Sequence, residues 1–192
     1  MKLFGRKRAQ GAAAPPLLQT PGLVLRAFDA NDAVDILECA KSEGAGPMAS
    51  GPPLLTAEDS RLAVEKFIRD GIWAVVEKKS GRVIGAVGLT DDARRRVEGA
   101  LELGFILGEK YALQGLEAEA CAAVLAYAFG DLQCPVVSAG HAVQNQRVRR
   151  VMKKLGFTCE GMVRLSWSLP DGARVDELRY SLLREEYQPA SK

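Results

Sequence analysis

The chain has 192 residues, 47% of them apolar and 26% charged, with a net charge of +2. That length and balance suit one globular domain with a full hydrophobic core and exclude a chain disordered throughout. The longest apolar run, Ala120 to Phe129, spans ten residues, whereas a membrane helix needs ~20, and no apolar stretch of signal-peptide length follows the basic N-terminus. A cytoplasmic protein with no membrane partner is therefore expected.

Lys2, Arg6, Lys7 and Arg8 place four positive charges in the first eight residues, which leaves −2 for the rest of the chain. A body of that sign fits nucleic acid poorly, so a nucleic-acid partner is not expected. Residues 1–20, with Gly11-Ala-Ala-Ala-Pro-Pro16, lack periodicity and read as a flexible basic leader. The folded domain is expected over 21–187, with a short tail over 188–192. Cys39, Cys121, Cys134 and Cys159 stand far apart, and His141 is the only histidine. That spacing predicts buried free thiols and no metal site.

Along the chain, Leu23 to Phe28 reads as a first strand, and Asn31-Asp32 offers an N-cap to a helix carrying Ala33, Ile36, Leu37 and Ala40. Residues 41–53, rich in Gly and Pro, form a long loop. Thr56-Ala-Glu-Asp59 caps a second helix with Leu62, Ala63, Val64 and Phe67 near one stripe. Two strands, 72–77 and 83–89, make a hairpin around Lys78-Lys-Ser-Gly-Arg82. A polar turn over 91–99 leads to a strand at 100–107, an apolar helix at 116–129, a strand at 136–143 and a helix at 146–155. Residues 159–183 close the chain as a hairpin about Pro170-Asp-Gly172. This order predicts a mixed α/β sheet with helices on its faces.

Gly115 stands immediately before the third helix. A helix N-terminus presents unpaired N–H groups and partial positive charge, and a glycine there lets backbone approach a pyrophosphate. One glycine before a helix also suits an ordinary loop. The wider pattern is more informative. Glu102-Leu-Gly-Phe-Ile-Leu-Gly-Glu-Lys-Tyr111, Gly115 and Glu119-Ala120 resemble the strand–loop–helix of the GNAT acyltransferase superfamily, in its RimJ/RimL-like branch of ribosomal-protein N-terminal acetyltransferases. Leu23-Val-Leu-Arg26, Gly81-Arg-Val-Ile-Gly85, Asn145, Lys154-Leu-Gly-Phe157, Glu160-Gly161 and Tyr180-Ser-Leu-Leu183 fall in register with it over about residues 20–187.

The resemblance implies a single GNAT domain whose central, mostly antiparallel sheet splays between the strands at 100–107 and 136–143. Acetyl-CoA, the implied cosubstrate, would lie in the splay along Phe105, Ile106 and Leu107. Its diphosphate would sit on Gln114, Gly115, Leu116, Glu117 and Ala118, with Asn145 and Arg150 as further contacts. The amine substrate, on a protein N-terminus or a small molecule, would enter from the other side and attack the thioester directly, without metal. A homodimer is among the assemblies to test.

The pattern breaks in two places. The family's Q/R-x-x-G-x-G/A positions fall on Ala112, Gly115 and Glu117, with Leu113 in place of a loop glycine. Glu117 thus sets a carboxylate where phosphate is expected, with Gln114 the nearest compensating donor. Val148 stands where many RimL-like enzymes carry a serine that protonates the leaving thiolate. These breaks motivate a second reading, a catalytically impaired GNAT-fold binding or regulatory module.

Two catalytic candidates follow. Glu102, on the strand face opposite Leu101 and Leu103, reads either as the base for the amine or as a solvated carboxylate. His141 reads either as a proton-transfer group or as a satisfied structural histidine. Asn145 caps the helix after it. Arg147, Arg150 and Lys154 share a face that is either solvated or turned to the coenzyme's 3′-phosphate. The loop 44–53 and the hairpin 167–172 would flank the acceptor.

Overall fold

The computed structural model describes residues 14–41, 56–111, 114–168 and 172–189. Eight strands form one sheet in the order β1-β2-β3-β4-β5-β6-β8-β7. They are β1 (Leu18–Gln19), β2 (Leu23–Ala27), β3 (Trp73–Glu77), β4 (Val83–Asp91), β5 (Leu101–Leu107), β6 (Val136–Ala142), β7 (Thr158–Ser168) and β8 (Arg174–Leu183). The helices among the described residues are α1 (Ala33–Lys41), α2 (Ala57–Asp70), α3 (Leu116–Gly130) and α4 (Gln146–Lys154). All neighbours pair antiparallel except β5 and β6, which run parallel. This is the mixed sheet that the element order predicts, mostly antiparallel and splayed as the resemblance implies. None of the described helices is long and apolar enough to cross a membrane.

The two sheet faces are built differently. On one, α1 and α2 bring Ile36, Ala63, Val64 and Phe67 against Ala74, Val83 and Ala86. On the other, α3 and α4 bring Ala118, Cys121, Val124, Val151 and Met152 against Leu101, Leu103, Leu107, Val87 and Val137. Each fully buried aliphatic side chain contributes roughly 1.5–3 kcal/mol. The period-two alternation of β5 decides what remains. Its odd residues face α3, while Glu102 and Ile106 face the α1–α2 side, Ile106 inside the apolar cluster there.

Three expectations need correction. The folded part begins before residue 21, because Leu18 and Gln19 pair with Leu25 and Val24, and Trp73 Nε1 donates to the Pro16 carbonyl at 2.7 Å. The cap near the first helix is Asp29, which opens a 3-10 turn over Ala30–Asp32. Asp32 instead takes a two-pronged bond from Arg26, at 2.7 and 2.8 Å. Lastly, none of the four cysteines is in a disulfide, but Cys159 is exposed on the edge strand β7. Thr56 does cap α2 with Asp59 as its reciprocal partner, and Leu62 leaves the apolar stripe for solvent, 51% exposed.

Candidate active site

The sheet opens where the sequence places the splay. β5 and β6 pair only at Leu101↔Val137 and Glu102↔Ser138, then part. The pairing parity fixes which backbone groups border the gap. Gly108 N–H bonds the Ile84 carbonyl at 3.0 Å, so by alternation along an antiparallel ladder Ile106 and Gly104 turn their polar groups to β4. Phe105 and Leu107 turn theirs into the gap. The same argument from Val143 N–H on the Asp176 carbonyl, at 3.0 Å, leaves Gly140 and Ala142 facing it from β6. Of the three β5 residues expected along a coenzyme, Ile106 therefore stands apart in both backbone and side chain.

Side chains trim the gap. Arg147 Nη2 donates to the Leu107 carbonyl at 2.9 Å. The Ala142 carbonyl accepts from Asn145 N–H and from His141 Nδ1, each at 2.8 Å. The Asn145 side chain accepts from Val148 N–H at 3.1 Å and so caps α4.

The N-terminus of α3 lies beside the Leu107 end of this gap. Gly115 is its N-cap, with φ of 80°, a conformation that favours glycine, and it makes no side-chain cap. The first intrahelical bond is Glu119 N–H to the Gly115 carbonyl at 3.0 Å, so the amides of Leu116, Glu117 and Ala118 precede the ladder. Lys154 Nζ lies 3.8 Å from where a Cβ on Gly115 would stand. Leu116 is half-buried, Ala118 is buried, and Arg150 is exposed on α4.

Here the structure overturns one expectation. Glu117 does not project as an uncompensated carboxylate: it is buried, at 6% exposure, and its Oε1 takes Arg147 Nε at 2.7 Å and Nη2 at 2.5 Å. Arg147 comes from α4, not from the loop. Gln114, the donor expected to compensate Glu117, instead donates to the Lys110 carbonyl at 2.8 Å. Arg147 thereby ties α3, α4 and β5 together through one guanidinium, its side chain 25% exposed. Ala112, Leu113, the loop 44–53 and the turn 169–171 lie outside the described residues.

The two catalytic candidates stand on opposite sides of the sheet. Glu102 faces the α1–α2 side at the branch point, where its Oε1 accepts from Arg179 Nη1 at 2.5 Å. It is not a solvated strand carboxylate. Arg179 also bonds Glu177 at 3.0 Å and Ser138 Oγ at 3.3 Å, and Ser138 Oγ donates to Asp92 at 2.6 Å. Burial would raise the Glu177 carboxyl, but bonds from Ser166, Arg94 and Arg179 outweigh it and hold it below the usual range. For Arg179, burial alone would favour the neutral form, and Glu102 and Glu177 reverse that. Gly140 makes this packing possible, because a Cβ there would overlap the Glu177 carboxylate and lie 2.7 Å from Arg179 Nη1.

His141 faces the α3–α4 side, 4% exposed and stacked on Tyr180 with ring centroids 5.2 Å apart. Since a carbonyl can only accept, its Nδ1 carries the proton given to Ala142, and Nε2 is a buried lone pair with no partner among the described residues. Burial pushes its pKa below the usual value. In this state His141 accepts a hydrogen bond and does not donate one from Nε2. Sequence reading missed Arg179, Asp92 and Glu177. The available signal was Glu177 and Arg179 two residues apart on one strand, which places opposite charges on a single sheet face.

A family model for the acetyltransferase (GNAT) domain matches residues 22–158. The uncharacterized N-acetyltransferase YoaA of Bacillus subtilis (strain 168) is 23% identical over 175 residues, which cover 88% of this chain and 97% of YoaA. A GNAT-family acetyltransferase structure from Bacillus anthracis superposes with a TM-score of 0.78 at 23% identity, covering 89% of this chain and 100% of that one. The structure of RimL, a ribosomal L7/L12 alpha-N-protein acetyltransferase in complex with coenzyme A, superposes at 0.76 with 16% identity, covering 89% and 99%. The family model spans β5, β6 and α3. The chain belongs to the acetyltransferase (GNAT) domain family and is an acyltransferase.

Proposed function

We propose that the chain is an N-acetyltransferase of RimJ/RimL-like kind, moving an acetyl group from acetyl-CoA to a primary amine on a protein N-terminus or a small molecule. One observation carries this reading: β5 leaves β6 after Glu102, and Phe105 and Leu107 turn backbone groups into the opening beside the first amides of α3. An extended arm with amide groups can pair with such a strand edge. A diphosphate suits the amides of Leu116, Glu117 and Ala118 beside Gly115, where no Cβ intervenes. Arg150, Lys154 and Asn145 border that end from α4. The RimL structure, solved with coenzyme A, is consistent with the donor.

The donor supplies an activated thioester; the chain supplies position and a path for the proton. As the amine nitrogen bonds the acyl carbon and the carbon–sulfur bond breaks, the nitrogen must lose a proton. Glu102 is placed to receive it, on the α1–α2 side and steadied by Arg179. His141, on the other face, offers the Nε2 lone pair as an acceptor and holds the Ala142 end of β6 through Nδ1. The rival reading, an impaired binding module, rested on Leu113, Glu117 and Val148, and Arg147 now answers the Glu117 charge.

Calorimetric titration with acetyl-CoA tests the donor, and thiol release with a panel of amines tests transfer. Saturable binding and amine-dependent thiol release are expected, with Glu102→Gln lowering turnover roughly 10²-fold while coenzyme affinity stays unchanged. Absence of binding at millimolar acetyl-CoA overturns the reading.

A further inference from the structure

The α1–α2 side carries a cleft of about 540 Å³ bordering the branch point, within the roughly 300–1,000 Å³ typical of small-ligand sites. The loop after β4 lines it with Asp92, Arg94 and Arg95, β7 with Glu160 and Arg164, and Arg179 closes it toward Glu102. Its charges are layered. Asp92 and Glu177 are sunk, with side chains 0% and 4% exposed, and the more exposed Glu160 carboxylate is taken up by Arg95, whereas Arg94 is 51% exposed. Arg164 is exposed and has no ion-pair or hydrogen-bond partner among the described residues. Arg95 is held by Asp92, whose Oδ2 lies 3.3 Å from its Nε, and by Glu160. A molecule entering the cleft meets the exposed guanidinium groups of Arg164 and Arg94, while the Glu160 carboxylate is already paired with Arg95.

We propose that this cleft is the acceptor's specificity pocket and that it selects an amine whose neighbouring group is anionic, of the carboxylate class, with Arg164 and Arg94 as the specificity-determining residues. The proposal rests on the acetyltransferase reading above. Arg179 joins the two functions, since the residue closing the cleft also holds Glu102. An acidic group docked on Arg164 would thus lie on the same side of the sheet as the proton acceptor. A guanidinium fork reads a carboxylate through two parallel bonds, which a neutral amide cannot reproduce.

The test is acceptor kinetics by thiol release, using peptides that share one N-terminal residue followed by either glutamates or glutamines. A small amino acid bearing a side-chain carboxylate and its amide form make a second arm. An acidic acceptor is expected to show a KM about tenfold lower than its neutral counterpart. Arg164→Gln should erase most of that gap, raising KM for the acidic acceptor far more than for the neutral one. The arm with the larger gap identifies whether a peptide or a small molecule is the source. Binding of a fluorescent acidic peptide, measured by anisotropy without coenzyme, gives a readout independent of turnover. It should weaken in Arg164→Gln and with rising salt. Equal KM values for acidic and neutral acceptors, or equal effects of Arg164→Gln on both, overturn the proposal while leaving acetyl transfer intact. Failure of acetyl-CoA to bind overturns the enzyme reading and leaves the anisotropy result standing on its own.

Discussion

Arg147 and Glu117 form the contact whose removal is most informative, because their charges bear on stability and on the coenzyme end of the gap with different signs. The Glu117 side chain is 8% exposed and that of Arg147 25%. Arg147→Ala leaves a buried carboxylate alone and should cost about 3 kcal/mol, the lower end for a broken buried pair. For a chain of this length that lowers Tm by roughly 6–12 °C. Glu117→Ala leaves a guanidinium that keeps its bond to the Leu107 carbonyl and can reach water, a loss of about 1 kcal/mol. The double variant should fall short of the summed cost by roughly 1–2 kcal/mol. Coenzyme affinity follows the net charge beside the α3 amides, which becomes −1 in Arg147→Ala, +1 in Glu117→Ala and zero in the double variant. A unit charge some 8 Å from a phosphate changes binding by about 1 kcal/mol at an intermediate dielectric, or roughly fivefold. Urea unfolding and acetyl-CoA calorimetry on the four proteins measure both quantities. The expected order of affinity is Glu117→Ala, then wild type with the double variant, then Arg147→Ala. A double variant that binds no better than Arg147→Ala refutes the compensation argument.

Three further perturbations probe the sheet. Gly140→Ala would press a methyl into the Glu177–Arg179 pair; urea unfolding should show a loss of about 2–4 kcal/mol, and less than 1 kcal/mol would mean the pair moves aside freely. Gly85→Ala places a Cβ 2.8 Å from Leu107 Cα and against the Ile106 carbonyl, backbone that cannot rotate away. A loss of about 1–3 kcal/mol is expected, together with weaker coenzyme binding as β5 shifts, while unchanged affinity would show the gap does not depend on that register. His141 tests pH. Its folded pKa lies below the ordinary 6.5, so the unfolded chain gains the proton first as pH falls. Stability is full above pH 6.5 and declines below it, by at most about 1.4 kcal/mol per pH unit. As it is the only histidine, His141→Phe should flatten urea-derived stability between pH 6.5 and the folded pKa; an unchanged slope would place the titration elsewhere.

Most of the fold was legible because its signals are local. Weak alternation marked β2, a turn between two apolar runs marked β3 and β4, and Thr56 and Asp59 marked the start of α2. The failures near Asp32 and Leu18 have one cause. Asp29, Asn31 and Asp32 are all chemically able to cap, and only the distance to Arg26 separates a cap from an ion-pair partner. Likewise Leu18 and Gln19 carry no strand signal of their own; their pairing with β2 and the Trp73 bond to Pro16, 57 positions away, hold them.

The candidate site divides on the same line. Its backbone half had local signals, a glycine before an apolar helix and a strand with one polar residue on its second face, while the gap between β5 and β6 is what the resemblance implies. Its side-chain half was not readable, because each decisive pair spans the chain. Glu117 meets Arg147 from 30 positions away, and Glu102 meets Arg179 from 77. A carboxylate read singly is a charge in the wrong place, whereas the same carboxylate read with its partner is a fixed, neutral strut. Glu117 and Glu102 therefore differ less in sequence than in what stands beyond their partners. Behind Arg147 is the Leu107 carbonyl, so the pair closes one end of the gap. Behind Arg179 is an open cleft lined by further guanidinium groups, so the pair there can pass from structure to chemistry.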